Sequence, residues 1–167
     1  MKTAERNSRI RWADMFSVCA NGTAGRNRRC SSTWGWKQEK LQRWERYFLL
    51  TSPSIEQLTL EDVRTRSSNL HGAMKRLSDA TDVIYIHVDM DGLDPREVPG
   101  HPLTVPGGPT SIELAAALTE MFKYEKVAAF GVASTPYGEK DQTGISRQAA
   151  YNLILGAAKG VQQRRPK

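Results

Sequence analysis

The spacing of apolar residues along the chain changes between two periods, and this change separates predicted strands from predicted helices. Short apolar runs rich in β-branched residues or alanine predict two interior strands, at residues 83–88 and 126–132. Apolar residues three and four apart predict helices at residues 67–79, 110–124 and 145–161. The order helix, strand, helix, strand, helix is typical of an α/β domain.

Smaller signals refine these elements. Thr110 followed by Glu113 forms a capping box that begins the middle helix, and residues 59–63 resemble a capped helical turn. Weaker patterns predict a helix near residues 41–48 and a short edge strand at 55–58. The helix positions that we expect to face the core are Leu70, Ala73, Met74, Leu77, Ala149, Leu153, Ala157 and Val161.

The connection between the two predicted strands sets the fold class. A right-handed crossover through a helix makes two such strands parallel neighbours. Helices on both faces of a parallel sheet form a three-layer α/β/α sandwich, which is the architecture we predict. A Gly/Pro-rich loop at residues 92–109 follows the first strand, and a polar loop at 135–144 follows the second.

Charge is distributed unevenly along the chain. Residues 1–50 hold 11 Lys and Arg against 4 Asp and Glu, which leaves 13 against 14 for residues 51–167. We therefore divide the chain into a basic, tryptophan-containing segment at 1–45, to which we assign no periodic element, and an α/β portion at 46–167. The basic segment is interpreted as a solvated tail or a non-native leader, with a nucleic-acid arm as the alternative that we do not favour.

Hydropathy excludes some classes of protein. No run of about 18 apolar residues is present, so we expect no membrane-spanning helix. The N-terminus lacks an apolar stretch followed by a small-residue cleavage site, which argues against secretion. We expect a cytoplasmic protein without a membrane partner.

Acidic residues cluster where the first predicted strand ends. His87, Asp89 and Asp91 alternate with apolar residues, so a strand would place all three on one face. Crowded carboxylates repel each other unless a cation lies between them, and oxygen-rich sites favour Mg, Mn or Ca. The residues therefore predict a metal site at the carboxyl end of a parallel strand, where α/β sheets bind their ligands. The alternative is a purely structural role, in which both aspartates only cap the turn.

The same stretch resembles the ureohydrolases, a family that includes arginase, agmatinase and formimidoylglutamase and shares its fold with histone deacetylases. The matching motifs are Asp-x-Asp-x-x-Asp-Pro at residues 89–95, Pro-Gly at 99–100, and Pro-Gly-Gly-x-Thr at 106–110 with Glu113. The resemblance covers roughly residues 46–163. It implies a truncated, arginase-like α/β fold.

The resemblance also implies a chemistry. Asp89 and Asp91 look like ligands of the family's two-manganese site, which supplies hydroxide to attack the carbon of a guanidino or amidino substrate. His87 and His101 are further candidates, as substrate-binding residues or as supports for the metal ligands, although a buried hydrogen-bonded His87 and a solvated His101 are the alternatives. Family members commonly form homo-oligomers, so the resemblance suggests a homo-oligomer, although the sequence itself does not determine the oligomeric state.

Departures from the family pattern limit this expectation. The upstream segments Gly-Gly-Asp-His and Asp-Ala-His-x-Asp, which supply the other metal ligands, occur nowhere in the chain. Ala133 stands where the family commonly has the Glu that binds a guanidinium, and residues 100–104 replace a Thr-rich loop. We expect an impaired hydrolase, with a non-catalytic fragment or subunit of the same fold as the alternative. A haloacid-dehalogenase-type phosphotransferase is a lesser alternative, suggested by residues 89–92 alone.

Overall fold

The computed structural model describes residues 16–21, 58–104 and 106–164, and for 16–21 it describes the backbone only. Each described strand and helix bears a label in chain order. The elements are β1 (Phe16–Asn21), α1 (Leu60–Thr65), α2 (Ser68–Ala80), β2 (Val83–Asp89), α3 (Ser111–Met121), β3 (Val127–Ala133) and α4 (Ile145–Gln162). Single 3-10 turns follow at Met90–Gly92, Pro95–Glu97 and Gly138–Asp141. The two strands and three helices predicted beyond residue 66 are confirmed in position, although α3 ends at Met121 rather than near 124. The expectation that the second strand is interior is wrong for most of β3, since only Val127 is buried and Ala128 and Ala129 are exposed.

The three described strands form one sheet in the order β1, β2, β3. Strands β2 and β3 are parallel neighbours, as predicted, and Val88 pairs with Val132 and Asp89 with Ala133. Strand β1 pairs antiparallel with β2 on the other side, with Ser17 opposite His87. This strand was not predicted, although the alternation of apolar and polar residues over 16–21 is a short strand signal. The predicted helix near 41–48 and residues 55–57 lie outside the described residues.

Strand β2 divides the sheet into a buried face and a half-buried face. Ile84, Ile86 and Val88 are fully buried, while Tyr85, His87 and Asp89 alternate with them and are half-buried. The buried face packs in a core with residues of the helices, among them Leu70, Met74, Leu114, Leu118 and Leu153. Burial of one face fixes the register of β2, because a shift by one residue would exchange the two sets of side chains.

Helices α3 and α4 pack closely because two glycines of α4 face α3. A β-carbon at Gly156 would lie 2.4 Å from the Ala115 carbonyl oxygen, and one at Gly160 would lie 2.5 Å from that of Thr119. Ala149, Leu153 and Ala157 are buried as predicted. The prediction for Val161 is wrong: the residue is 45% exposed, since its neighbour Gly160 occupies the contact with α3.

Capping residues hold the helices in place. The capping box of Thr110 and Glu113 at the start of α3 is confirmed, and Thr59 forms a second one with Asp62 at the start of α1. Arg64 in the last turn of α1 forms an ion pair with Glu113 at 2.9 Å, which joins the end of α1 to the start of α3. Within the described part of the chain, no helix is long and apolar enough to cross a membrane.

Candidate metal site at the end of β2

Asp89 is the last residue of β2, and Asp91 lies in the 3-10 turn that follows. The expectation that Asp91 continues the strand on the face of His87 and Asp89 is therefore wrong. The turn brings Asp91 close to Asp89 by another path, because the Asp91 N–H faces Asp89 Oδ1 at 3.5 Å. Met90 between them is fully buried and anchors the turn in the core.

The two carboxylates affect each other strongly. Burial, the negative charge of Asp89 and a hydrogen bond to the Asp89 carboxylate raise the pKa of Asp91 from 3.8 to about 7. Two half-buried carboxylates in contact fit a hard divalent cation, which would replace the shared proton. No group of three His, Cys, Asp or Glu suited to a metal ion occurs among residues 58–104 and 106–164. The pair is therefore suited to contribute to a metal site and is too small to form one alone.

The glycine motif of residues 106–108 fixes the position of the acidic turn. A β-carbon at Gly108 would lie 2.4 Å from the carbonyl oxygen of Gly92 and 2.4 Å from the carbonyl carbon of Leu93. The Asp94 N–H also donates to the Pro109 carbonyl oxygen at 2.9 Å. Glycine is needed at 108 because the two backbone segments touch.

Glu97 attaches the same loop to the helices. The Ser111 N–H and hydroxyl both donate to the Glu97 carboxylate, the hydroxyl at 3.0 Å. Asn152 of α4 donates to the Ser111 hydroxyl oxygen at 2.9 Å. The sequence does not indicate this role of Glu97, because its partner Ser111 is 14 residues away and only the folded loop brings the two together.

His101 lies in the loop near Asp89. Its Nδ1 accepts a hydrogen bond from the Leu103 N–H at 3.1 Å. Burial lowers the pKa of His101, the charge of Asp89 raises it and that of Lys140 lowers it, and the net direction is down. A β-carbon at Gly100 would lie 2.0 Å from the Lys140 carbonyl oxygen, so this loop touches the turn Gly138–Asp141.

His87 lies on the face of Asp89, and its ring is engaged by a neighbour. The Tyr85 hydroxyl and His87 Nδ1 share a hydrogen bond of 3.0 Å. Both groups lie against Gly131 of β3, where a β-carbon would come within 2.0 Å of the hydroxyl and 3.4 Å of Nδ1. This contact matches the hydrogen-bonded alternative to a ligand role for His87, and it engages Nδ1.

Ala133 lies beside the acidic pair. It is the parallel partner of Asp89 at the ends of β2 and β3. The next residue, Ser134, has φ of 57°, a left-handed conformation that is unfavourable for a non-glycine residue. The position at which the resemblance expects a guanidinium-binding Glu therefore lies next to Asp89, and it carries only a methyl group.

Comparisons with known proteins agree with this geometry. The family model described as the arginase family matches residues 5–158. The chain belongs to the arginase family. This membership confirms the resemblance to ureohydrolases, and it decides the interpretation of residues 89–92 against a phosphotransferase.

Two curated relatives that the chain matches are formimidoylglutamases. That of Halalkalibacterium halodurans is 32% identical over 108 residues, which cover 64% of this chain and 34% of the relative. That of Bacillus subtilis is 34% identical over 85 residues, which cover 51% of this chain and 26% of the relative. The chain thus spans about a third or less of the curated relatives that it matches.

Solved structures confirm the arginase-like α/β fold. Formimidoylglutamase from Bacillus subtilis aligns with a TM-score of 0.62 at 23% identity, over 77% of this chain and 41% of that chain. Arginase from Bacillus subtilis aligns with a TM-score of 0.54 at 20% identity, over 71% and 40%. At such identities the alignments support the fold alone.

Proposed function

We propose that the chain contributes Asp89 and Asp91 to the two-manganese site of a hydrolase that cleaves carbon–nitrogen bonds in linear amidines. The observation that carries the proposal is the contact between these carboxylates at the end of β2, with the pKa of Asp91 raised to about 7. Membership of the arginase family supports the reaction class. When bound, divalent ions lower the pKa of water and so supply a nucleophile at neutral pH.

The two aspartates have a defined task in this proposal. Both must be ionised to hold a cation, so Asp91 loses its proton when the metal binds. Gly108 and the hydrogen bond between Asp94 and Pro109 hold the turn, which keeps the two carboxylates together before binding. Oxygen ligands favour Mn or Mg over softer ions.

We infer a formimidoyl compound as the substrate class in preference to a guanidino compound. The curated relatives are formimidoylglutamases. Ala133, the neighbour of Asp89, offers no carboxylate to pair with the three nitrogens of a guanidinium, whereas a formimidoyl group carries two nitrogens.

A non-catalytic role as a subunit is the second candidate. The observation that favours it is that residues 58–104 and 106–164 contain no group of three His, Cys, Asp or Glu that could hold a metal ion. Two carboxylates alone bind a divalent ion weakly, since such ions take more ligands. This role predicts no turnover of any amidine by the chain.

Homo-oligomer formation and a cytoplasmic location also stay predictions.

Calorimetric titration of MnCl₂ into the purified chain tests the metal site. We expect one weak site that is lost in Asp89→Asn and in Asp91→Asn. The control is Asp79→Asn, because Asp79 is an exposed carboxylate paired with Lys75 at 2.7 Å. Binding that survives both site variants would refute the site. Hydrolysis of N-formimidoyl-L-glutamate, arginine and agmatine in the presence of Mn then distinguishes an amidine hydrolase from a non-catalytic subunit.

A further inference from the structure

Strand β3 is an uncharged strand at the edge of the described sheet. Residues 127–133 are apolar or glycine throughout, a composition that is typical of interior strands. Among the described strands, however, β3 is last in the order β1, β2, β3 and pairs with β2 alone. One row of its backbone N–H and C=O groups therefore faces away from β2. An open edge of this kind is a template for another strand.

Charged side chains usually protect such an edge, and the nearest ones protect little of β3. The Lys126 ammonium donates to the carbonyl oxygens of Ser78 at 2.6 Å and Thr81 at 2.8 Å, so it is held at the end of α2. Arg164 covers only the start of β3, where its guanidinium donates to the Val127 carbonyl oxygen at 2.6 Å. The rest of the strand carries no charged side chain of its own.

The pairing with β2 determines which groups of β3 point outwards. The Ile84 N–H donates to the chain just before β3 at 2.7 Å, so alternate residues of β2, counted from Ile84, bond towards β3. Their partners are Phe130, opposite Ile86, and Val132, opposite Val88. In a parallel pair, a residue bonds to the two residues that flank its partner. The N–H and C=O groups of Phe130 and Val132 therefore point away from β2.

We propose that β3 pairs with the β3 of a second copy of this chain, in antiparallel orientation and with Gly131 on the two-fold axis. In this register, Phe130 of each copy lies opposite Val132 of the other, and the two residues exchange their outward hydrogen bonds. Ala129 lies opposite Ala133. An aromatic residue opposite a β-branched one is a favourable cross-strand pair, and no like charges face each other. The two three-stranded sheets then form one.

A second copy fits this edge because the two outward residues are placed symmetrically. Phe130 and Val132 lie one position before and one position after Gly131, so a two-fold axis there brings each outward donor to an outward acceptor. Both side chains pack only partly into the core, so each keeps apolar surface that the other can cover. The inference goes beyond the proposed function, and it does not depend on metal binding by Asp89 and Asp91.

Disulfide cross-linking tests the register. In an antiparallel pair, opposite residues that exchange no hydrogen bonds have α-carbons about 4.5 Å apart, a distance that a disulfide spans. We therefore expect an intermolecular disulfide when Ala129→Cys and Ala133→Cys proteins are mixed under oxidising conditions without metal. A mixture of Ala128→Cys and Ala133→Cys is the matched control, because Ala128 is exposed and lies one position out of register. Peptide mass spectrometry distinguishes this bond from disulfides of Cys19 and Cys30.

Sedimentation velocity at several protein concentrations tests the association itself. A single strand edge is a small interface, so we expect a monomer–dimer equilibrium at concentrations between about 10 µM and about 1 mM. Val132→Pro removes one outward N–H from each copy and leaves the bonds to β2, so it should weaken the dimer about tenfold. Ile154→Lys is the control on the outer side of α4, where Ile154 is 50% exposed, and it should associate like the original chain.

Three results would overturn the assignment. The first is a chain that stays monomeric across this range of concentrations. The second is the absence of the 129–133 disulfide, or a yield of it no higher than that of the control mixture. The third is a dimer that Ile154→Lys disrupts and Val132→Pro does not. Circular dichroism shows whether Val132→Pro is folded, and if it is not, the cross-linking result decides.

Discussion

The Tyr85 hydroxyl lies directly against Gly131 of β3, so that a β-carbon at position 131 would come within 2.0 Å of it. The same hydroxyl shares a 3.0 Å hydrogen bond with His87 Nδ1. The absence of a side chain at 131 therefore makes room for the pair on the half-buried face of the sheet. The contact between Tyr85 and Gly131 thus links β3 to β2, the strand that ends in Asp89.

Gly131→Ala should destabilise the fold. The added methyl group cannot coexist with the Tyr85 hydroxyl, and overpacking of this kind costs about 1–3 kcal/mol. Urea unfolding followed by circular dichroism measures the loss. Combining Gly131→Ala with Tyr85→Phe removes the atom that clashes, so the double variant should recover part of the stability.

Gly138→Ala provides the comparison for this prediction. A β-carbon there meets nothing within 4 Å, and only its φ of 60° disfavours a side chain. We expect a cost of about 1 kcal/mol from backbone strain alone, which Tyr85→Phe does not change. Equal losses at both glycines, or no recovery by Tyr85→Phe, would refute the proposed contact.

The example of Gly131 shows which features the sequence predicts and which it does not. Strand β2 and the capping box of Thr110 and Glu113 are encoded by local patterns, and both were predicted. The contact between Gly131 and Tyr85 depends on the pairing of two strands 46 positions apart, which no local pattern contains.

The candidate site likewise combines features that the sequence predicts with features that depend on the folded structure. Asp89 and Asp91 are visible in the sequence because they follow an apolar strand at short spacing. The turn that joins them is not visible in the sequence, because the alternation of apolar and polar residues continues through Asp91 although the strand ends at Asp89. The loop of His101 touches the turn Gly138–Asp141 only because Gly100 has no side chain, and that approach is a tertiary contact.

Gly108→Ala should disturb the acidic turn more than Gly107→Ala does. At 108 a β-carbon would strike the backbone of Gly92 and Leu93, and backbone cannot rotate away. At 107 nothing lies within 4 Å, although its φ of 93° is strained for alanine. We expect weaker Mn binding by calorimetry in Gly108→Ala, and nearly unchanged binding in Gly107→Ala. The reverse order would show that Gly108 does not position the turn.

Asp89→Asn should lower the pKa of Asp91. The substitution removes the negative charge of Asp89 and its carboxylate hydrogen bond, while burial, the largest cause of the raised pKa, remains. The pKa should therefore fall from about 7 and stay above the ordinary value of 3.8. Carboxyl ¹³C NMR across a pH titration measures it. An unchanged pKa of Asp91 would mean that the two carboxylates do not interact.

Asp62 should make the stability of the fold depend on pH in the acidic range. Burial alone would raise its pKa, but hydrogen bonds from Thr59, Ser67 and Asn69 outweigh burial and lower the pKa from 3.8 to about 2. A carboxylate with a lowered pKa in the folded state stabilises the fold above the unfolded value of 3.8. This stabilisation, about 2 kcal/mol for a shift of this size, is lost as the pH falls from about 4 towards 2.

Unfolding by urea at a series of pH values between 2 and 7 tests this dependence, with Asp62→Asn as the variant. Asparagine cannot accept the four bonds that the Asp62 oxygens receive from Thr59, Ser67 and Asn69, so the variant should be less stable at pH 7 and should lose less stability in acid. The exposed Asp79→Asn change should leave the acid dependence as it is, within about 0.5 kcal/mol. If Asp62→Asn and the original chain lose stability in parallel below pH 4, the carboxylate that joins α1 to α2 is not the group that titrates.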